Sequence, residues 1–389
     1  MKSDNRHELT AAISYCGFQL SSALVLGCIP PVINRLATQT EATLSMIAAA
    51  LSVRYLVYVI TTLFLGRVFD KLPGNKILAA NGLLLILFAS FFPRMTLFPL
   101  LVTWLILSGF ISGIMDMGCN TGILWTLKDR AGQAMNLMYA CCSLGLMIAP
   151  LLIAYSIRKN DQFSGVFLIL SLLCIPFIWM MVFLKSPERE DYKRIEFDVE
   201  QIPENSNKFI NQLILITAVF LFFEIGCECG FSNWGPSLAF QSGISSEAAA
   251  ATVSTAFGAG SLLGRLINAY IIRRVKAEKI LFSAVFLVFI SFLSISFIHN
   301  LLFFLIAALF IGLGTAPVYA TILVLIGDKI HLTGKSTGFL LGTLGIGAMI
   351  IPLIVGTAFE RAGVVAFSIL SSLFILLSIF FLFRMQKIR

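Results

Sequence analysis

Two glutamates, Glu224 and Glu228, stand four residues apart in the otherwise oily stretch FFEIGCECGFSNW, residues 222–234. On a helix that spacing sets both carboxyls on one face, one turn apart. A carboxylate in hydrocarbon costs several kcal/mol, so such a pair belongs beside a polar cavity. There it can exchange a proton or hold a sodium ion, and so couple the movement of a solute to an ion gradient. Counted from Phe209 at ~1.5 Å per residue, Glu224 lies roughly 22 Å and Glu228 about 28 Å along the helix, in the outer half of a span. Asp116 and Arg54 form a second set. Arg54 lies twelve residues before Gly66, and Asp116 twelve before Lys128. Both are therefore about 18 Å from the inner boundary, and an ion pair at equal depth is geometrically allowed. Each set also has a structural reading. Glu228 then lines a water-filled mouth, Glu224 is a buried hydrogen-bonding acid, Asp116–Arg54 is a fixed pair, and Asn120 is an amide bridging helices.

Other chemistries find less support. Cys227 and Cys229 mimic a C-x-C metal pair, but residues two apart on a helix point to nearly opposite faces. The eight cysteines all fall in apolar runs, which argues against a disulfide framework and leaves no metal site. The three histidines, His7, His299 and His331, all lie away from the middle of a span. The sequence has no H-E-x-x-H, G-x-S-x-G or P-loop pattern. An enzyme is not expected, nor any cofactor beyond a coupling ion, H+ or Na+.

The elements that must position these acids follow from composition. The chain has 389 residues, 58% hydrophobic and 12% charged, against about 25% charged in soluble domains. Apolar runs recur at the ~20-residue length a spanning helix needs, without the alternation of a membrane β-barrel. The pattern predicts an all-α integral membrane fold of twelve helices, near 9–36, 42–66, 75–93, 97–127, 131–157, 163–185, 209–240, 245–272, 279–297, 301–328, 334–359 and 363–384. The first apolar stretch exceeds a signal-peptide core and has no small-residue cleavage site after it, so it reads as a retained helix.

The charged stretch 186–208 separates an N-terminal half, 1–185, from a C-terminal half, 209–389. With both termini in the cytoplasm, 22 of the 28 Lys and Arg fall inside and five outside, leaving Arg54 within a span. Basic residues mark the cytoplasmic side, so the net charge of +8 reads as topology rather than as a nucleic-acid surface.

The halves repeat. GQAMNLMYACCSLGLMIAPL from Gly132 aligns without gaps with GKSTGFLLGTLGIGAMIIPL from Gly334, pairing Gly145 with Gly347 and Pro150 with Pro352. GRVFD at Gly66 matches GRLIN at Gly264, and LSGFISG ending at Gly113 pairs loosely with FIGLGTA around Gly312. Duplicated six-helix units with a site at their interface are a transporter architecture.

GRVFDKLPGNK, Gly66–Lys76, resembles the loop between helices 2 and 3 of the major facilitator superfamily, G-x-x-x-D-[RK]-x-G-[RK]-[RK]. Gly66, Asp70, Lys71 and Lys76 fit. Leu72 to Gly74 carries one extra residue, Asn75 replaces a basic residue, and the second copy has Asn268 where the acid would be. The resemblance implies a cytoplasmic gate at Gly66, Arg67, Asp70 and Lys71, with Arg265 in the second copy. Asp70 would meet the positive end of a helix in the other half. SGIMDMGCNTGILW followed by GQAMNL is similar to the fucose–proton symporter and sodium-dependent glucose transporter branch. Asp116, Asn120 and Asn136 fall on its helix 4 and helix 5 positions. Gly226, Glu228 and Trp234 match the helix 7 spacing of some relatives, although no histidine stands near Met138. The family places helices 1, 4, 7 and 10 around the cavity, which adds Gln19 and Tyr319.

The expectation is a secondary active transporter, moving a small polar, sugar-like solute with H+ or Na+ by alternating access. Substrate contacts would come from Gln19, Asp116, Asn120, Asn136, Glu228, Trp234 and Tyr319. Ion coupling would fall to Asp116, Glu224, Glu228 and Arg54. Acids and amides suit hydroxyls, and the Trp234 face, unless it belongs to the membrane belt, suits a sugar ring. Its partners would be the solute and membrane lipid, with the chain a monomer in the plasma or inner membrane. The alternatives are a carrier of another metabolite, such as a siderophore, amino acid or drug, or a transport-inactive receptor. The glycine pattern of proton-driven drug exporters is absent from 145–154.

Overall fold

The structure is a computed structural model and describes residues 2–69, 72–127, 131–187, 204–243, 246–272, 274–298, 300–327, 330 and 334–387. These residues form helices, with no strand among them. The chain makes two compact units, Met1–Lys193 and Arg194–Arg389. The expected linker, 186–208, lies mostly outside the described residues.

The first unit contains α1 (Lys2–Leu26), α2 (Ile33–Gln39), α3 (Leu44–Phe69), α4 (Gly74–Phe91), α5 (Phe98–Leu127), α6 (Ala131–Asn160), α7 (Ser164–Leu172) and α8 (Ile175–Phe183). The second contains α9 (Glu204–Gln241), α10 (Glu247–Ile271), α11 (Ala277–Ile295), α12 (Leu301–Thr315), α13 (Val318–Gly327) and α14 (Gly334–Lys387). Several expected spans are broken helices, and prolines account for the breaks. Pro30 and Pro31 open the 3-10 turn between α1 and α2, and Pro176 stands in the first turn of α8. Pro317 lies between α12 and α13. Within α14, Gly363 takes φ 75° and divides two helices.

Ten segments among the described residues are long and apolar enough to cross a membrane. The last, Gly342–Lys387, is the pair of helices joined at Gly363. α10 is the remaining span, long enough at 25 residues but rich in alanine, glycine and serine. Eleven helices among the described residues thus have the length and hydropathy of a span once the last pair is counted as two, and α10 is a twelfth of spanning length.

Small residues set the crossings, as expected where helices meet without a hydrophobic driving force. A β-carbon on Gly109 of α5 would fall on the Arg54 carbonyl of α3, and one on Gly312 of α12 on the Phe257 carbonyl of α10. Both members of the second pair stand 203 positions after their counterparts (312 less 109, 257 less 54). Likewise Gly145 of α6 abuts Ala23 and Leu24 of α1, and Gly347 of α14 abuts Phe222 of α9. Pro150 and Pro352 lie inside α6 and α14 at matching repeat positions. The duplication read in the sequence is thus also a duplication of backbone contacts.

The two asparagines that depart from the loop motif tie helices together. Asn75 is 1% exposed. It accepts from the Tyr15 hydroxyl at 2.8 Å and donates to the Leu184 and Lys185 carbonyls at 3.2 Å, joining α1, α4 and the end of α8. Asn268 of α10 accepts from the Thr321 hydroxyl of α13 at 3.2 Å.

Candidate functional site

The N-terminal unit carries a polar cluster across four helices. On α5, Ser108, Ser112, Asp116 and Asn120 follow one another at four-residue steps and share one face. Gln19 of α1 donates its amide N–H to Asp116 Oδ1 at 2.7 Å. Tyr58 of α3 donates its hydroxyl to Asp116 Oδ2 at 2.9 Å. Asn120 Nδ2 donates to the backbone carbonyl of Asp116 at 2.8 Å, and Tyr139 of α6 donates its hydroxyl to Asn120 Oδ1 at 3.2 Å. Gln19, Asp116 and Asn120, separated by up to 101 positions (120 less 19), therefore meet in one network.

The allowed Asp116–Arg54 ion pair does not form. Arg54 Nε donates to Ser108 Oγ at 3.0 Å and Nη2 to Ser112 Oγ at 3.5 Å, with the guanidinium stacked over Tyr55 at 5.0 Å. The serines stand one and two turns before Asp116 on the same face of α5, and they hold the guanidinium away from the carboxylate. An ion pair among the described residues of this unit joins Arg35 of α2 to Asp161, just after α6, at 2.5 Å.

The C-terminal unit separates the two glutamates. α9 is 38 residues long and extends to Gln241, so Glu224 lies about 30 Å from its start and about 25 Å from its end. Glu224 is thus near mid-helix. Its side chain is 0% exposed, and neither carboxyl oxygen has a hydrogen-bond partner. Glu228 is half-buried, and its neighbours are the Thr315 hydroxyl of α12 and the charge of Arg265 on α10. Four residues turn a helix through about 40° beyond one full turn, enough to set one acid in the packed interior and the other at its edge.

Trp234 also departs from expectation. It is 0% exposed and donates its indole N–H to the Pro352 carbonyl at 3.1 Å. A β-carbon on Gly356 would strike the ring, and Phe359 packs at 6.4 Å. The indole fills the α9–α14 interface and offers no open face for a sugar ring. Tyr319 is half-buried on α13; the residue that reaches Glu228 is Thr315, before the Pro317 break. Asn136 lies within α6, one turn before Tyr139, and its side chain is outside the described residues. Gly66 and Arg67 fall in the last turn of α3, with side-chain surroundings likewise outside them, as are Asp70 and Lys71 altogether.

Tyr58, Tyr139 and Thr315 were not singled out by sequence. Tyr58 carried a usable signal: it lies one turn beyond Arg54, on the face of α3 that the polar stripe of α5 must meet. Tyr139 and Thr315 carried none, since nothing in their own helices distinguishes them from core residues.

A sequence model of the Major Facilitator Superfamily matches residues 12–352. The glucose/mannose transporter GlcP of Bacillus subtilis (strain 168) is 23% identical over 263 residues, 66% of this chain and 64% of that protein. The match thus spans less than two thirds of the relative's length. A crystal structure of a mutant of the nucleoside transporter NupG resembles this chain with TM-score 0.73 and 13% identity, over 98% of this chain and 99% of that one. A second NupG structure gives 0.69 and 14%, over 98% of each chain. At such identities the likeness concerns the fold.

Proposed function

Because the chain belongs to the major facilitator superfamily, we propose that it is a secondary active transporter of a small, sugar-like solute, driven by H+ or Na+ through alternating access. The observation that carries this reading is the Gln19–Asp116–Asn120 network, a 2.7 Å bond from α1 to α5 and a 2.8 Å bond within α5 that place an acid and two amides together. Such groups exchange hydrogen bonds with hydroxyls, and a site built to bond them rejects analogues that lack them. The names of the relatives agree in kind, since hexoses and nucleosides both carry sugar hydroxyls.

Coupling falls to the C-terminal acids, Glu228 at the edge of the packed interior and Glu224 within it. The inner motif, Gly66 to Lys71 with Arg265 in the second copy, serves as the gate. The protein acts as a monomer in the plasma or inner membrane, with both termini in the cytoplasm.

Counterflow in proteoliposomes tests the solute class. Radiolabelled glucose and mannose are expected to exchange, and amino acids are not. No exchange across a broad panel of hexoses would overturn the reading.

A further inference from the structure

Asp116 is the acid the sequence singles out in the N-terminal unit, yet both its oxygens already accept a hydrogen bond within the protein, from Gln19 and from Tyr58. Asn120 is engaged as well, one amide N–H to its own helix and its oxygen to Tyr139. The buried atom of this cluster with no partner is Gln19 Oε1, in a side chain only 5% exposed. Its orientation is not arbitrary. Turning the amide over would set Oε1 against Asp116 Oδ1, oxygen to oxygen, so while Asp116 is ionised the N–H stays inward and the carbonyl oxygen is left without a donor. A buried acceptor left unmade costs about 1–3 kcal/mol, and that cost is removed when a ligand supplies an O–H or N–H.

We propose that Gln19 Oε1 is the docking acceptor for a solute hydroxyl, and that Tyr58 and Tyr139 are positioning residues, acting through Asp116 and Asn120. The sequence of control runs from Tyr58 to Asp116 to Gln19 to the solute. Tyr58 fixes the carboxylate rotamer, the carboxylate fixes the amide, and the amide presents its oxygen. Tyr139 does the same for Asn120, one turn along α5. Asp116 is thereby a part of the scaffold of the site more than a direct ligand. The assignment rests on the proposed function, since it presumes that a hydroxyl-bearing solute binds here.

Tyr58→Phe removes one hydroxyl and keeps the ring, so the test uses equilibrium binding to purified protein. A thermal-stability screen over hexoses and nucleosides selects the probe, because a ligand of the folded state raises apparent stability. Titration then gives Kd for that probe. In Tyr58→Phe, Kd rises roughly tenfold, as for one lost hydrogen bond. Asp116→Asn raises Kd too, and the double variant binds no worse than Asp116→Asn alone, because coupled residues are non-additive. Gln19→Leu, which deletes the acceptor, abolishes measurable binding. Tyr155→Phe, on the exposed face of α6, changes nothing.

If Tyr58→Phe does not fold, Tyr139→Phe paired with Asn120→Ala carries the same test. Unchanged Kd in the tyrosine variants, or effects of Tyr58→Phe and Asp116→Asn that multiply, overturns the assignment while leaving the proposed function standing. Wild-type protein that binds no hexose or nucleoside overturns both.

Discussion

Glu224 and Glu228 show how far one helical turn can separate two identical side chains. Glu228 keeps polar company in Thr315 and Arg265, whereas Glu224 is enclosed with both oxygens unpartnered. An enclosed polar group without a partner weakens the fold by about 1–3 kcal/mol. Glu224→Leu is therefore expected to raise the melting temperature of the purified protein, and a lower one would show that the carboxyl has a compensating partner. Glu228→Gln keeps the shape and the hydrogen-bonding capacity but removes the exchangeable charge. Solute exchange should persist in this variant while accumulation driven by a pH or sodium gradient falls to background. Full accumulation in Glu228→Gln liposomes would remove it from the coupling role. Tyr58 belongs to the same scale, a neutral phenol whose value lies in the acid it holds.

Helix pairs in this protein meet where one backbone lacks a side chain. α10 and α12 approach so closely that a β-carbon on Gly260 would fall on the Leu309 carbonyl, and one on Gly264 on the Leu313 carbonyl. A carbonyl fixed in its own helix cannot give way as a flexible side chain can. Gly260→Val should accordingly eliminate folded protein from the membrane fraction, read as loss of the monodisperse peak on size-exclusion chromatography. Gly165, near the start of α7, has no atom within 4 Å of its would-be β-carbon. Gly165→Val should leave that peak intact. The proline and glycine breaks belong to this scale too. Pro317 ends α12 just after Thr315, and so fixes where along the span a hydroxyl meets Glu228.

The whole chain divides into two units of closely similar construction, Met1–Lys193 and Arg194–Arg389. Each is closed by the same glycine contacts at matching repeat positions, as Gly109 with Arg54 and Gly312 with Phe257 illustrate. The units differ in their polar contents. The first holds a bonded network around Asp116; in the second Glu224 is enclosed and Glu228 lies beside Thr315 and Arg265. On the proposed function, solute recognition would fall to the first unit and ion coupling to the second. Orientation is also a property of the whole, since the 22 to five split of basic residues sums over every loop. Epitope tags at either terminus should be digested by protease in inside-out vesicles and protected in right-side-out ones. Protection of one tag in inside-out vesicles would refute an even number of spans.

Amino-acid order alone determined the spans, their number, the duplication and the family, because each depends on hydrophobicity or glycine spacing along one stretch of chain. It also brought out Asp116, an acid within an apolar span, while Gln19 and Asn120 came from the resemblance to the family. Partner choice it could not determine. Arg54 and Asp116 lie at matched depth, and only the packing of α3 on α5 shows the guanidinium spent on Ser108 and Ser112. Trp234 fits a ligand-stacking spacing, and only the approach of α14 reveals its ring wedged against Gly356. Depth and face can be read from a single helix, but a hydrogen-bond partner is supplied by a different helix, whose rotation and register are settled by the packing of all the others.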